Sequence, residues 1–187
     1  MKKIIVLNIV ILILFITLTS CSQGDAEIEP NGIVVYNRVT LINDETNLYV
    51  SVGYVDYVFV GTVTELLKNI SDLDCPDSVY KINVIENLKG SLTDTQGNLV
   101  DTVEVRKHGG YRKDGTLVLS ETDFTKDSGL PEIGKQYIFL AFGQHDGSLL
   151  LAQINGNIEY TDSVKADYIY YIENQIEAER ERYPYLP

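Results

Sequence analysis

Tyr57-Val58-Phe59-Val60-Gly61-Thr62-Val63-Thr64-Glu65-Leu66 is the stretch on which the fold turns. Its density of β-branched and aromatic side chains is that of a buried strand, and Gly61 inside it marks a bulge or a sharp bend. After an acidic loop around Cys75, Val79 to Leu88 alternates, with Tyr80, Ile82 and Val84 on one face, until Lys89-Gly90 ends the run. Val100 to Lys107 alternates as well, with Val103 and Val105 on one face. Lys113-Asp114-Gly115 is a hairpin-type turn ahead of Leu117-Val118-Leu119. Gln136 to Phe142 is apolar enough to lie in a core, and Gln144-His145-Asp146-Gly147 turns it back into Ser148 to Gln153, the clearest hairpin of the chain. Asn155-Gly156-Asn157 turns again, before Ile158 to Tyr160.

Upstream, Ile33 to Leu41 reads as a first strand. Asp44-Glu45-Thr46 caps a short helix through about Tyr54, although Val50, Val52 and Val55 leave a strand open. Downstream the pattern changes at Thr161-Asp162-Ser163. Val164, Tyr168, Ile172 and Ile176, joined by Ile169, set one apolar stripe on a helix over 162–182 that Pro184 stops. The charged run Glu177 to Arg182 reads as the solvated end of that helix. The expected fold is therefore mainly β: antiparallel strands in a small barrel or sandwich, a short helix before the core strands and a C-terminal amphipathic helix.

The N-terminus has a different logic. Lys2 and Lys3 precede a mostly apolar run from Ile4 to Leu18, shorter than the roughly 20 residues a spanning helix needs, and Leu18-Thr19-Ser20-Cys21 closes it. The charged start, the apolar run and the small residues match an export signal. The whole segment resembles a bacterial lipoprotein signal peptide. That resemblance implies lipidation of the Cys21 thiol with a diacylglycerol and cleavage before it, so that 1–20 is signal peptide. Residues 21–32, small and polar with Pro30, then tether a single domain over 33–187. Two acyl chains suffice for stable anchoring where one is marginal, which places the protein on the extracytoplasmic face of a cell membrane.

Loss of Lys2 and Lys3 takes the formal charge from −12 to −14. Nucleic acid is an unfavourable partner for so acidic a body. Roughly 165 residues make one domain with a real core. With Cys21 lipidated, Cys75 is the one remaining thiol, and no intramolecular disulfide is expected. Its setting, Asp72-Leu73-Asp74-Cys75-Pro76-Asp77, blunts thiolate formation and points to a structural thiol.

No nucleophile elbow, zinc-protease helix, Walker A loop or dinucleotide fingerprint is present, so no cofactor, metal or catalytic residue is assigned. His145 and Asp146 share a turn and read as solvated. The acidic loop lacks the Gly and terminal Glu of a calcium loop. The segment Arg106-Lys107-His108-Gly109-Gly110-Tyr111-Arg112-Lys113 collects four of the few cations around a Gly-Gly pair. Arg106, Lys107, His108, Arg112 and Lys113 are accordingly the candidate ligand-binding set, as either an anion-binding loop or a basic hairpin balancing nearby acids.

In order, Asp56 to Val63, Tyr80 to Gly90, Val103 to Val105 and Gly134 to Leu140 resemble the netrin-like modules, OB-fold-related barrels that include the tissue inhibitors of metalloproteinases. The likeness spans about Leu48 to Ala152. It implies an OB-like barrel. Two departures stand out: animal members carry several disulfides, and the inhibitors bind their target's zinc through a free N-terminal cysteine, which here would carry lipid. The leading expectation is a non-enzymatic, membrane-anchored module that binds an envelope protein or an anionic ligand. The alternatives are an exported hydrolase without a recognised motif, or a protease inhibitor.

Overall fold

The computed structural model describes residues 28–41, 44, 46–71, 74–127 and 129–187; Cys21 and the expected export signal lie outside them. Strand β2 (Tyr57–Ile70) is the centre of the molecule. It pairs antiparallel with β3 (Asp77–Lys89) along one edge and with β7 (Gln136–Gly143) along the other. β4 (Thr102–His108) lies antiparallel to β3, and β8 (Leu149–Leu151) antiparallel to β7. β8 also runs parallel to β4, through Val105↔Leu149 and Arg106↔Leu150. The circuit β2-β3-β4-β8-β7-β2 is therefore closed, a five-stranded OB-like barrel. β9 (Asn157–Glu159) extends the edge of β7 beyond β8.

Closure explains the composition of the two central strands. Along β2, Tyr57, Phe59 and Val63 point into the barrel with Tyr137, Phe139 and Ala141 of β7, and the rings of Phe59 and Phe139 stack 5.2 Å apart. The alternate residues Val58, Val60, Ile138 and Leu140 are buried too, under a second, outer layer. Strands buried on both faces need near-continuous apolar sequence. β3 is covered on one face only: Tyr80 and Ile82 are inside while Ile85 is exposed. The Val60/Gly61 step is one of four register shifts between β2 and β3, as the glycine predicted.

The outer layer is two helices. α1 (Leu48–Tyr54) starts at Asn47, whose side chain accepts from Tyr49 N. The helix alternative for this stretch is thus the one realised, but Asp44 is not its cap; it accepts instead from Thr46 N and Oγ1. α2 (Asp162–Glu173) is capped by Thr161, which accepts from Val164 N. Tyr168 and Ile172 pack on the barrel, and Tyr49 meets Tyr171 edge-on at 5.2 Å. Among the described residues, no helix is long and apolar enough to cross a membrane.

Three expectations need correction. First, the strands are not all antiparallel. β1 (Val34–Arg38) pairs parallel with β6 (Leu117–Glu121), which carries β5 (Gly110–Tyr111) on its other edge as a separate small sheet, and β4–β8 is parallel as well. Second, the C-terminal helix ends at Glu173 and not at 182, because Asn174 turns its amide and side chain back onto Tyr170 O. Third, the charged run beyond it is not a solvated helix face. Residues 175–187 form an extended strap across the barrel: Ile176 N donates to Tyr49 O, Tyr185 N to the Tyr57 hydroxyl and Leu186 N to Gly147 O. A Cβ on Gly53 would lie 1.9 Å from Ile176 O, and one on Gly143 would lie 1.8 Å from Tyr183 O, so glycine at both positions is what lets the strap dock.

Candidate functional site

One end of the barrel gathers the residues expected to bind a ligand. There β3 begins at Asp77 and β4 ends at His108, directly opposite each other in register. Strand alternation sends neighbouring side chains to opposite faces. Val103, Val105 and Lys107 go inward, and Arg106 and His108 outward. His108 Nδ1 donates to Asp77 Oδ1 at 2.7 Å, and Arg106 Nε lies 3.8 Å from Asp77 Oδ2. Asp77 is thus a buried carboxylate that orients an imidazole, where the sequence placed it in an acidic loop.

Lys107 is the largest surprise. Its ammonium is fully enclosed and lies 3.0 and 2.9 Å from the Asp127 oxygens, themselves fully enclosed. Burial pushes its pKa below the ordinary lysine value, and the Asp127 charge pulls the other way. An amine sealed inside the barrel does not reach an external anion. Lys107 therefore leaves the candidate set. Arg112 is turned onto the Asp74 carbonyl through Nε and Nη2 at 3.3 and 2.9 Å, and Lys113 sits on the β5–β6 turn.

The Gly-Gly pair has a packing role. Gly109 N donates to Pro76 O, and a Cβ on Gly110 would meet Asn69 Oδ1 at 2.5 Å and Ser78 Oγ at 2.8 Å. Asn69 brackets Tyr111 by accepting from its N–H and donating to its carbonyl. Arg106, His108, Arg112 and Lys113 remain near the surface of this end, divided between strand β4 and the turn after β5 instead of sharing one loop.

A cavity of about 290 Å³ runs along the outer face of β7–β8 from His108 towards Tyr54 and Phe142, between α1 and the chain at Thr40-Leu41. Leu41, Tyr54, Leu140, Phe142, Leu150 and Ile154 make its walls apolar. Thr40, Ser51, His108 and Gln153 bring polar groups to it. A mostly apolar hollow with a few convergent polar groups has the form of a small-molecule site. No protein-family model matches the chain, and no curated protein matches it.

The remaining sequence candidates are accounted for locally. Cys75 is exposed, with Asn37 Nδ2 at 2.7 Å from its sulfur. Asp146 accepts from Ser148 N and Oγ, and its pKa is lowered by those bonds. His145 is exposed, as expected, with its ring edge-on to Tyr183 of the strap. Among the described residues, no group of three His, Cys, Asp or Glu is arranged to hold a metal ion. Neither the Lys107–Asp127 pair nor the cavity had a local signal. Only the inward phase of Val103 and Val105, continued by two residues, points to Lys107.

Proposed function

We propose that this protein is a lipid-anchored, extracytoplasmic binding module: Cys21 carries the diacylglycerol, residues 21–32 are the tether, and the OB-like barrel presents a ligand site beside His108. The observation that carries the binding reading is the 290 Å³ cavity, apolar in its walls and fitted with polar groups from α1, β4 and the segment after β8. OB-type barrels use their strand faces and loops to hold ligands, which supports the same reading. The netrin-like resemblance supports a binding role over a catalytic one.

Two experiments test the two halves. Metabolic labelling with a fatty-acid analogue should mark the wild-type chain and not Cys21→Ser, and the variant should be unprocessed or released from membranes. A Cys21→Ser chain that stays membrane-bound at the mature mass overturns the anchor. For the site, Leu150→Trp should fill the cavity and abolish binding of small apolar probes while leaving the far end of the barrel unchanged by NMR. Binding that survives Leu150→Trp places the ligand elsewhere.

A further inference from the structure

The geometry points to a neutral, hydroxyl-bearing small molecule as the ligand class of this cavity, an apolar body whose O–H donates to His108 Nε2; the inference rests on the binding reading above. The first support is the tautomer. His108 Nδ1 is 2.7 Å from Asp77 Oδ1, and a carboxylate accepts, so Nδ1 carries the proton of the neutral ring. Nε2 is then an acceptor. His108 lines the cavity wall, and its hydrogen-bond partner among the described residues is Asp77.

The second support is the wall. Tyr54, Leu140, Phe142 and Leu150 offer no charge, and taking an ion from water into such a surface is costly without a partner. Asp77, on the other side of the imidazole, repels a carboxylate or phosphate there. The guanidinium nearest this carboxylate, Arg106, is drawn toward it. The third support is size: about 290 Å³ is the room that roughly ten water molecules take in the liquid, which suits a single ring or a short branched chain.

The three requirements coincide in one shape. An apolar ring or chain fills the space between α1 and β7–β8, and its hydroxyl hydrogen meets Nε2. A ligand lacking the donor would cover Nε2 and leave it unpaired, and sites built around a hydrogen bond reject such analogues.

The test uses phenol, toluene and benzoate as probes on the purified chain, with binding followed by the methyl signals of Leu150 and Leu140 and by the ¹⁵N shift of His108 Nε2. Phenol should bind about tenfold more tightly than toluene, the worth of one well-placed hydrogen bond, and it alone should move the Nε2 resonance. Benzoate should bind weakest. His108→Phe should erase the preference for phenol, and the wild-type Nε2 shift remains decisive if that variant does not fold. Equal binding of phenol and toluene with a silent Nε2 overturns the hydroxyl assignment and leaves the cavity reading standing. Tightest binding of benzoate overturns it in favour of an anion, and failure of all three probes overturns it together with the cavity reading.

Discussion

The two ends of the barrel hold charge in opposite ways. At the loop end, Lys107 and Asp127 form an ion pair with no solvent contact. At the strap end, Asp56 alone faces Arg180 at 2.6 Å and Arg182 at 2.9 Å, with Lys89 nearby donating to Val52 O. Arg182 also donates to Gly53 O and Val55 O, Arg180 donates to Tyr54 O, and the Arg180 guanidinium lies over Tyr54 and Phe142. The Arg180 Nη2 contact with Asp56 is close but lacks hydrogen-bond geometry, so it is ionic in kind. One end is dry, its two charges held against each other without water. The other is half-wet and spreads its cations over backbone carbonyls and rings. A charge is most vulnerable where no water can replace a lost partner.

The largest effect should follow from breaking the dry pair. Lys107→Ala or Asp127→Ala leaves an uncompensated buried charge, and each should lower stability by about 3–5 kcal/mol in denaturant titration. The double replacement Lys107→Met with Asp127→Leu should recover most of that loss. Recovery would show the cost to be an orphaned charge, and no recovery would mean that the pair positions the segment around Asp127 in a way apolar packing does not replace.

Next comes the strap. Asp56→Asn should cost about 1–2 kcal/mol, less than the dry pair, because Arg182 is over a third exposed and water screens what remains. Its signature is local. Amide exchange should quicken at Ile176, Tyr185 and Leu186, whose bonds dock the strap, and not at Val105 or Ile82. Uniform loss of protection would make the strap part of the barrel's cooperative unit.

The smallest effect is the pH response of Lys89. Burial, then the Arg182 charge, pushes its pKa down to about 8. Between pH 8 and the unfolded value near 10.5, the unfolded chain keeps this proton and the folded one has lost it, so stability should rise with pH over that window. Measurements belong below pH 10, since burial pushes Tyr80 and Tyr168 up to about 12 and their contribution falls as pH rises past 10. Lys89→Met should remove this share of the slope, and an unchanged slope would assign it to Lys107.

Particular residues show how far the sequence carried. β2, β3, β4 and the β7–β8 hairpin were legible because alternation and apolar runs record which faces are buried. The caps at Asn47 and Thr161 were within a few residues of their expected places. The C-terminal helix was overextended because Ile176 keeps the four-residue spacing, although in the fold it belongs to the strap. The basic segment misled because a run of cations looks the same whether its members share a loop or alternate between the two faces of a strand. Arg106 and His108 went out, and Lys107 went in.

By itself, then, the sequence determined the strands, their buried faces and most turns. Only the tertiary structure decided that β4 and β8 close the barrel in parallel, that Asp127 meets Lys107 across 20 residues, that Arg182 reaches Asp56 across 126, and that a cavity opens beside His108. The division has a physical cause. Burial of a strand face is set residue by residue and leaves a local period, whereas strand order and ion pairing depend on which distant segment arrives, and a charge in the chain carries no mark of its partner.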